Sequence, residues 1–368
     1  MREGFFKLSK KEGKTSFTFS DLFAGIGGIR IAFEKAGGKC VFSSEYDRFA
    51  QLTYERFFGH KPDFSDLLET DPPGDITKLT KKNPGLICKH DILTGGFPCQ
   101  PFSLAGVSKK NALKKPHGFN DPTQGTLFFH IKEIIKKIKP KAILLENVKH
   151  LENHNGGSTF SIIKETLKKC GYDISYRVID AKGWVPQHRE RIYIVGFRKK
   201  TGGQKWSIDD FGEILNEIKF KEKNPKFLSD ILQNNVPNKY TLGPGTWDTL
   251  KRHKAKHKAA GNGFGFGIHC APFKDSSRTL SARYHKDGAE ILIAQKGKRP
   301  RRLTPLECGR LMGFPKKYLI HFDPSSKHEQ PVSDTQAYRQ FGNSVAVPVV
   351  ERIAQKMAER LMQAGAIR

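Results

Sequence analysis

The sequence predicts an α/β fold: a doubly wound, mainly parallel sheet covered by helices on both faces, with a second, smaller and irregular domain. Three observations predict it. Between residues 17 and 198, short apolar runs bounded by turn residues alternate with helix-length segments. Ala142-Ile143-Leu144-Leu145 is apolar at every position, as a strand buried on both faces must be. From about Lys199 the rhythm breaks, and residues 199–300 turn rich in Gly, Pro, Asn and Lys, with short extended pieces and no strand-helix repeat.

The elements follow in order. A polar, basic leader fills residues 1–16. Thr18 to Phe23 reads as a strand running into the glycine turn Ala24-Gly25-Ile26-Gly27-Gly28, then a helix from Ile29 to Lys35 closed by Gly37-Gly38. Cys40 to Ser44 is the next strand, ending at Glu45, with a helix from Asp47 to about Phe58. Asp91 to Thr94 is strand-like and leads into Gly95-Gly96-Phe97-Pro98-Cys99-Gln100-Pro101-Phe102-Ser103. A helix from Thr126 to Ile138 precedes the buried strand, which ends at Glu146-Asn147. A helix from Phe160 to Lys169 and strands near Asp173–Ile179 and Ile192–Phe197 complete the region. A helical segment from Thr304 to Met312, the stretch Gln336 to Val350 and a last amphipathic helix to about Met362 end the chain. In open α/β sheets ligands bind outside the carboxyl ends of the strands, where Asp21-Leu22-Phe23, Glu45, Cys99 and Glu146 all fall.

Composition narrows the partners. Lys and Arg number 64 against 37 Asp and Glu, a formal charge of +27, and the sequence pI is about 9.8; a polyanion is the expected partner. The excess is clustered at Lys109, Lys110, Lys114 and Lys115, at Lys251 to Lys258, and at Lys296 to Arg302. Such runs repel themselves unless phosphates neutralise them, although solvated faces of a basic protein would read the same way. The six cysteines show no Cys-x-x-Cys and no zinc spacing, which argues for a reducing compartment and against a structural metal. Residues 1–6 lack the apolar core of a signal peptide and no run is long enough to span a membrane, so a soluble intracellular protein is expected.

Several positions carry chemistry. Pro98 fixes φ, and Gly95 and Gly96 allow close approach, which suits a thiolate presented at a cleft by Cys99. A lone cysteine is more often a small buried hydrophobe. The glycine turn suits a nucleotide-like cofactor, but Arg30 stands where the dinucleotide fingerprint has its third glycine, so a nicotinamide oxidoreductase fails. The turn lacks a phosphate-binding Lys-Ser/Thr, which excludes a P-loop. Glu45 is placed to accept from both hydroxyls of a ribose, or else caps the next helix. Gly74-Asp75-Ile76 offers a third strand-end carboxylate for an adenine amine, or only a turn. Glu146 is a carboxyl suited to hold a proton against a ring nitrogen. In Gln187-His188-Arg189-Glu190-Arg191, alternation sends both arginines to one side, where they would lower the Cys99 pKa and clamp an oxygen or phosphate.

Taken in order, Asp21 to Gly28, Glu45, Gly74-Asp75-Ile76, Pro98-Cys99-Gln100, Glu146-Asn147-Val148, Gln187-x-Arg189-x-Arg191 and Gln336 to Val345 resemble the DNA (cytosine-5) methyltransferase family over about residues 17–197 and 302–350. The resemblance implies a doubly wound, Rossmann-like sheet of the S-adenosylmethionine-dependent methyltransferases. It implies a catalytic large domain at 17–198, a target-recognition domain at 199–333, and a segment at 334–368 returning to the large domain. It implies Cys99 as nucleophile at cytosine C6, Glu146 acting at N3 and the exocyclic amine, and Arg189 and Arg191 holding base and backbone. S-adenosylmethionine would be lined by Phe23, Gly25, Gly27, Glu45, Tyr46, Asp75, Ile76, Pro98, Asn343 and Val345, with Tyr46 against adenine; Tyr46 and Val345 read equally well as core packing. The target base must leave the stack, and the basic segment Ala105 to Gln124 is the natural closing loop.

Segments Gly261 to Gly267, Arg278 to Tyr284, Lys286 to Ile293 and Pro331 to Thr335 resemble the recognition domain of the bacterial Dcm-type enzymes, which methylate the inner cytosine of CCWGG. The expected DNA contacts are Gln100, Ser103, Lys109, Lys110, Arg252, Arg278 and Arg283, the last two as guanine readers or as phosphate contacts. What the resemblance implies is a bacterial cytoplasmic, nucleoid-associated monomer acting on double-stranded DNA, with no metal and no membrane contact, and a cognate restriction endonuclease as a functional rather than a contacting partner. The tRNA-methylating branch of the same fold is the alternative, disfavoured by so large a recognition region; a DNA-binding protein without catalysis is disfavoured by the intact set Cys99, Glu146, Arg189 and Arg191.

Overall fold

Strands β1 (Phe17–Leu22), β2 (Gly38–Ser44), β3 (Ile92–Gly96), β4 (Ala142–Val148), β5 (Tyr172–Asp180) and β6 (Glu190–Arg198) make one sheet in the order β2-β1-β3-β4-β6-β5. The structure is a computed structural model that describes residues 16–63, 74–82, 87–98, 127–199, 212–213, 216–217, 226–262 and 265–367. The leader, Cys99, Gln100, Ser103, Lys109, Lys110 and the expected closing loop lie outside the described residues.

The first four strands in sequence pair in parallel, while β6 runs antiparallel to both β4 and β5. The reason is the connection: only residues 181–189 separate β5 from β6, too few for a crossover helix. Alternation along β4 divides the core. Ala142 and Leu144 enter one cluster with α1 (Gly28–Lys35). Ile143 and Leu145 enter a second with α3 (Ile76–Lys82), α4 (Leu127–Ile138) and α5 (Ser158–Lys169). Helix α2 (Arg48–Phe58) starts where the Asp47 carboxylate accepts from the amides of Phe49 and Ala50 at 2.8 and 3.0 Å, and stops at Gly59 with φ 78°.

The less regular part differs from the sequence expectation. A 16-residue helix, α6 (Pro244–Ala259), stands where only short extended pieces were expected. Its one buried residue is Leu250, so it has no apolar stripe to announce it; Pro244 in the first turn and a run of straight-chain residues and alanines favour it locally. Strands β7 (Ile268–His269), β8 (Leu292–Gln295) and β9 (Lys298–Arg302) form a second sheet beside it. Leu280, Tyr284, Ile291 and Ile293 share the first core cluster with α7 (Pro305–Leu311), α8 (Lys316–Leu319), α9 (Asp334–Asn343) and α10 (Val347–Gln363). Helix α10 packs on α1, with a Lys35–Glu351 pair at 2.8 Å, and its Arg352 meets Glu217 at 2.8 Å. Among the described residues no helix is long and apolar enough to cross a membrane, and no three potential metal ligands cluster.

Candidate active site

The parallel register aligns the strand ends that carry the site: Leu22 pairs with Ser44 and Gly95, and Gly96 with Glu146. Beyond β1 the chain turns sharply, with Phe23, Gly25 and Gly27 all at positive φ. A side chain at Gly27 would place its Cβ 2.3 Å from the Phe58 ring, so only glycine lets α1 start there. The Glu45 carboxylate accepts from the amides of Gly25 and Asp47, both at 2.7 Å, and the Gln51 amide donates to the Glu45 carbonyl at 2.7 Å. Burial raises the Glu45 pKa, against the pull of those amides. Each carboxylate oxygen, bonded once, retains a lone pair for another donor.

Gly74 approaches the tip of β2 so closely that a Cβ would lie 1.9 Å from the Glu45 carbonyl oxygen. Asp75 is thereby brought beside Glu45. The sequence suggested a strand-end carboxylate here, but among the described residues Asp75 ends no strand; it opens α3 and accepts from the Thr77 amide at 2.9 Å. Ile76 is buried, Pro98 and Asn343 are exposed, and Phe23 is half-buried. Tyr46 is 59% exposed, which excludes core packing for its ring, whereas Val345 is a core residue against Gly28.

Glu146 sits inside β4 rather than at its tip, with Val148 as the last strand residue. Its carboxylate is 9% exposed, lies 3.2 Å from Arg191 Nε, and comes within 3.4 Å of where a Cβ on Gly96 would stand. Burial raises its pKa; Arg191 and then Arg189 oppose the shift. The neighbouring Asn147 amide donates to the Phe97 carbonyl at 3.2 Å, which fixes the chain on its way to Cys99.

Arg189 departs from the expectation that it faces the cleft beside Arg191. It precedes β6, is 2% exposed, and donates to the carbonyls of Leu280 at 2.9 Å, Gly342 at 3.0 Å and Ser344. Nε has no partner among the described residues, but both terminal nitrogens are committed to carbonyls and the group is buried, so it does not present a fork to a base in the cleft. Burial pushes its pKa down to about 9, with Arg191 adding to the shift, and it stays charged at neutral pH.

Sequence reasoning put Asp21 at this edge but gave it no role. It is fully buried; Oδ1 accepts from the Thr94 hydroxyl at 3.2 Å and Oδ2 has no hydrogen-bond partner among the described residues. Burial pushes its carboxyl up to about 7 from 3.8. An acid whose folded pKa is raised is protonated in the native state while already ionised in the unfolded one. Stability therefore falls as pH rises from about 4 to about 7, by ~1.4 kcal/mol per unit at most. Asp21→Asn is expected to match the parent at pH 4 and to gain on it in urea melts at pH 8; an equal difference at both pH values would sink the assignment.

Toward the second sheet, Arg252 and Arg278 are exposed, with hydrogen bonds to Thr249 Oγ1 at 3.3 Å and the Gly265 carbonyl at 2.7 Å; the Arg283 side chain is exposed too.

The glycine turn, the acid on the next strand and the sheet order define a protein with the fold of the S-adenosylmethionine-dependent methyltransferases. Two solved structures share it: the Dnmt2 methyltransferase of S. pombe, with TM-score 0.68 and 22% identity over 94% of this chain and 99% of that one, and a DNMT2 mutant of Spodoptera frugiperda, with TM-score 0.64 and 21% identity over 94% and 100%. The pattern of the C-5 cytosine-specific DNA methylases matches residues 17–359, and the chain belongs to that family. It is 48% identical over 346 residues to the type II methyltransferase M.SsoII of Shigella sonnei, covering 93% of this chain and 80% of the relative. It is 44% identical over 390 residues to the DNA-cytosine methyltransferase of Escherichia coli K12, covering 96% and 80%. The protein is an enzyme, a DNA (cytosine-5) methyltransferase.

Proposed function

We propose that the chain methylates C5 of one cytosine in a short specific sequence of duplex DNA, with S-adenosylmethionine as donor and Cys99 as nucleophile. The observation that carries this reading is Glu146: a buried carboxyl with a raised pKa, paired with Arg191, on the strand in register with the one leading to Cys99. The left-handed turn from Phe23 to Gly27 and the Glu45 carboxylate fit the donor, because no described residue comes within 4 Å of where a Cβ on Gly25 would stand and Glu45 keeps acceptor capacity. When bound, the donor supplies a methyl group on a cationic sulfur. Tyr46, Asp75, Ile76, Pro98, Asn343 and Val345 complete the proposed pocket.

Cytosine C5 is a poor nucleophile until the ring is activated. The Cys99 thiolate bonds to C6, the electrons of the C5–C6 double bond move into the ring, and Glu146 holds its proton at N3 against the developing charge. C5 would then take the methyl group as its bond to the donor's sulfur breaks, the sulfur leaving as a neutral thioether; C5 loses its proton to water, and the re-forming double bond expels the thiolate. Neither face of C6 is open in a duplex, so the base flips out. We assign the large domain to residues 17–198, with the return at 334–368, and target recognition to 199–333; the inner cytosine of CCWGG is the expected target.

Mapping 5-methylcytosine in DNA of a host expressing the protein tests this. Methylation at the inner cytosine of CCWGG is the expected result; methylation confined to tRNA would overturn the reading. Two variants separate contact types. Arg252→Gln with Lys256→Gln, one turn apart on α6, is expected to weaken all duplexes alike and to flatten the salt dependence by about 0.9 per phosphate lost. Arg283→Ala is expected to cost roughly 1–3 kcal/mol at one base pair; a uniform loss would mark Arg283 as a phosphate contact.

A further inference from the structure

We propose that Arg189 is a positioning residue that couples the methyl-donor pocket to the recognition region, by holding Asn343 and the segment leading to Arg283 with one guanidinium. The proposal rests on the reading of Asn343 as a donor-pocket residue. Arg189 Nη2 donates to the carbonyls of Gly342 and Ser344, the residues on either side of Asn343; the first lies in the peptide plane that enters Asn343 and the second in the plane between Ser344 and Val345, so the chain is held just before and just after it. Nη1 donates to the Leu280 carbonyl at 2.9 Å, three residues before Arg283. The two segments also touch directly: a Cβ on Gly342 would lie 2.3 Å from the Ser281 carbonyl oxygen.

A buried guanidinium is costly unless it is paired, and no carboxylate among the described residues forms an ion pair with Arg189. Three main-chain carbonyls in a fixed fork are what an arginine can satisfy and a lysine cannot. Methionine or leucine would fill the same space without that cost, yet would take the donor from two buried carbonyls and one half-buried one. The group is therefore a shared clamp. Ordering either segment lowers the cost of ordering the other, and the effect is reciprocal between the two ligands.

The test uses S-adenosylhomocysteine and a duplex carrying the mapped methylation site. In the parent protein the duplex is expected to tighten S-adenosylhomocysteine binding roughly tenfold, and S-adenosylhomocysteine to tighten the duplex by the same factor. Arg189→Lys is expected to bring that factor close to one, an effect that loss of stability alone does not produce. Hydrogen exchange in the parent adds a measurement that needs no variant: the amides of Asn343 to Val345 are expected to slow when duplex is added alone. An unchanged coupling factor in Arg189→Lys, or exchange at those amides indifferent to duplex, overturns the inference. Failure of the parent to bind S-adenosylhomocysteine at all removes the donor reading, and this inference with it.

Discussion

Cys99→Ala protein is expected to lose methyl transfer by roughly four or more orders of magnitude while binding duplex DNA as tightly as the parent. A nucleophile working as one member of a unit costs about that much when removed, because the remaining groups have nothing to act on. Phe97, anchored by Asn147, leads to this cysteine, and Glu146 waits one strand away. A mechanism-based probe sharpens the test. In DNA containing 5-fluorocytosine, C5 carries fluorine, which cannot leave as a cation after methylation. The parent is expected to stay covalently joined to such DNA through denaturing electrophoresis, and Cys99→Ala to leave none joined. Turnover of fluorinated sites without a trapped adduct would remove Cys99 from the reaction.

Glu146→Gln is expected to slow methylation by about 10²- to 10⁴-fold, the range for a positioned proton donor. Glutamine keeps the shape and one acceptor toward Arg191 but has no acidic proton. The pH dependence carries the sign. Burial raises the Glu146 pKa above 4.5, so the neutral form persists to higher pH and is lost as pH climbs through the raised value. The parent rate should fall on that alkaline limb, and the variant should lack it. A variant that keeps the limb would assign it to another group.

Much of the fold is legible because β4, buried on both faces, opens with the continuous apolar run Ala142 to Leu145, and because short apolar runs alternate with helix-length segments around it. The helix expected from Asp47 to about Phe58 is found at Arg48–Phe58, with Asp47 as its cap. Glu146 and Cys99 stand out in the sequence because each comes shortly after an apolar run, Ala142 to Leu145 and Ile92-Leu93. Other features depend on partners remote in sequence. The antiparallel pairing of β6 follows from a short connection whose length only matters once β5 is identified. Helix α6 is silent because its amphipathic stripe is nearly absent. The carbonyls held by Arg189 lie 91, 153 and 155 residues away, and no local pattern announces them. Asp21 reads as an edge acid, but its missing solvation belongs to the packed state.

The contact of α10 with α1 has a consequence for how the enzyme comes into being. Lys35 and Glu351, joined across 316 positions, are synthesised far apart in time. A ribosome delivers the glycine turn and its apolar helix long before their cover is made. The glycine turn and its helix therefore gain their cover only once residue 351 has emerged, and a product that stops short of it leaves a greasy surface for chaperones and proteases to find.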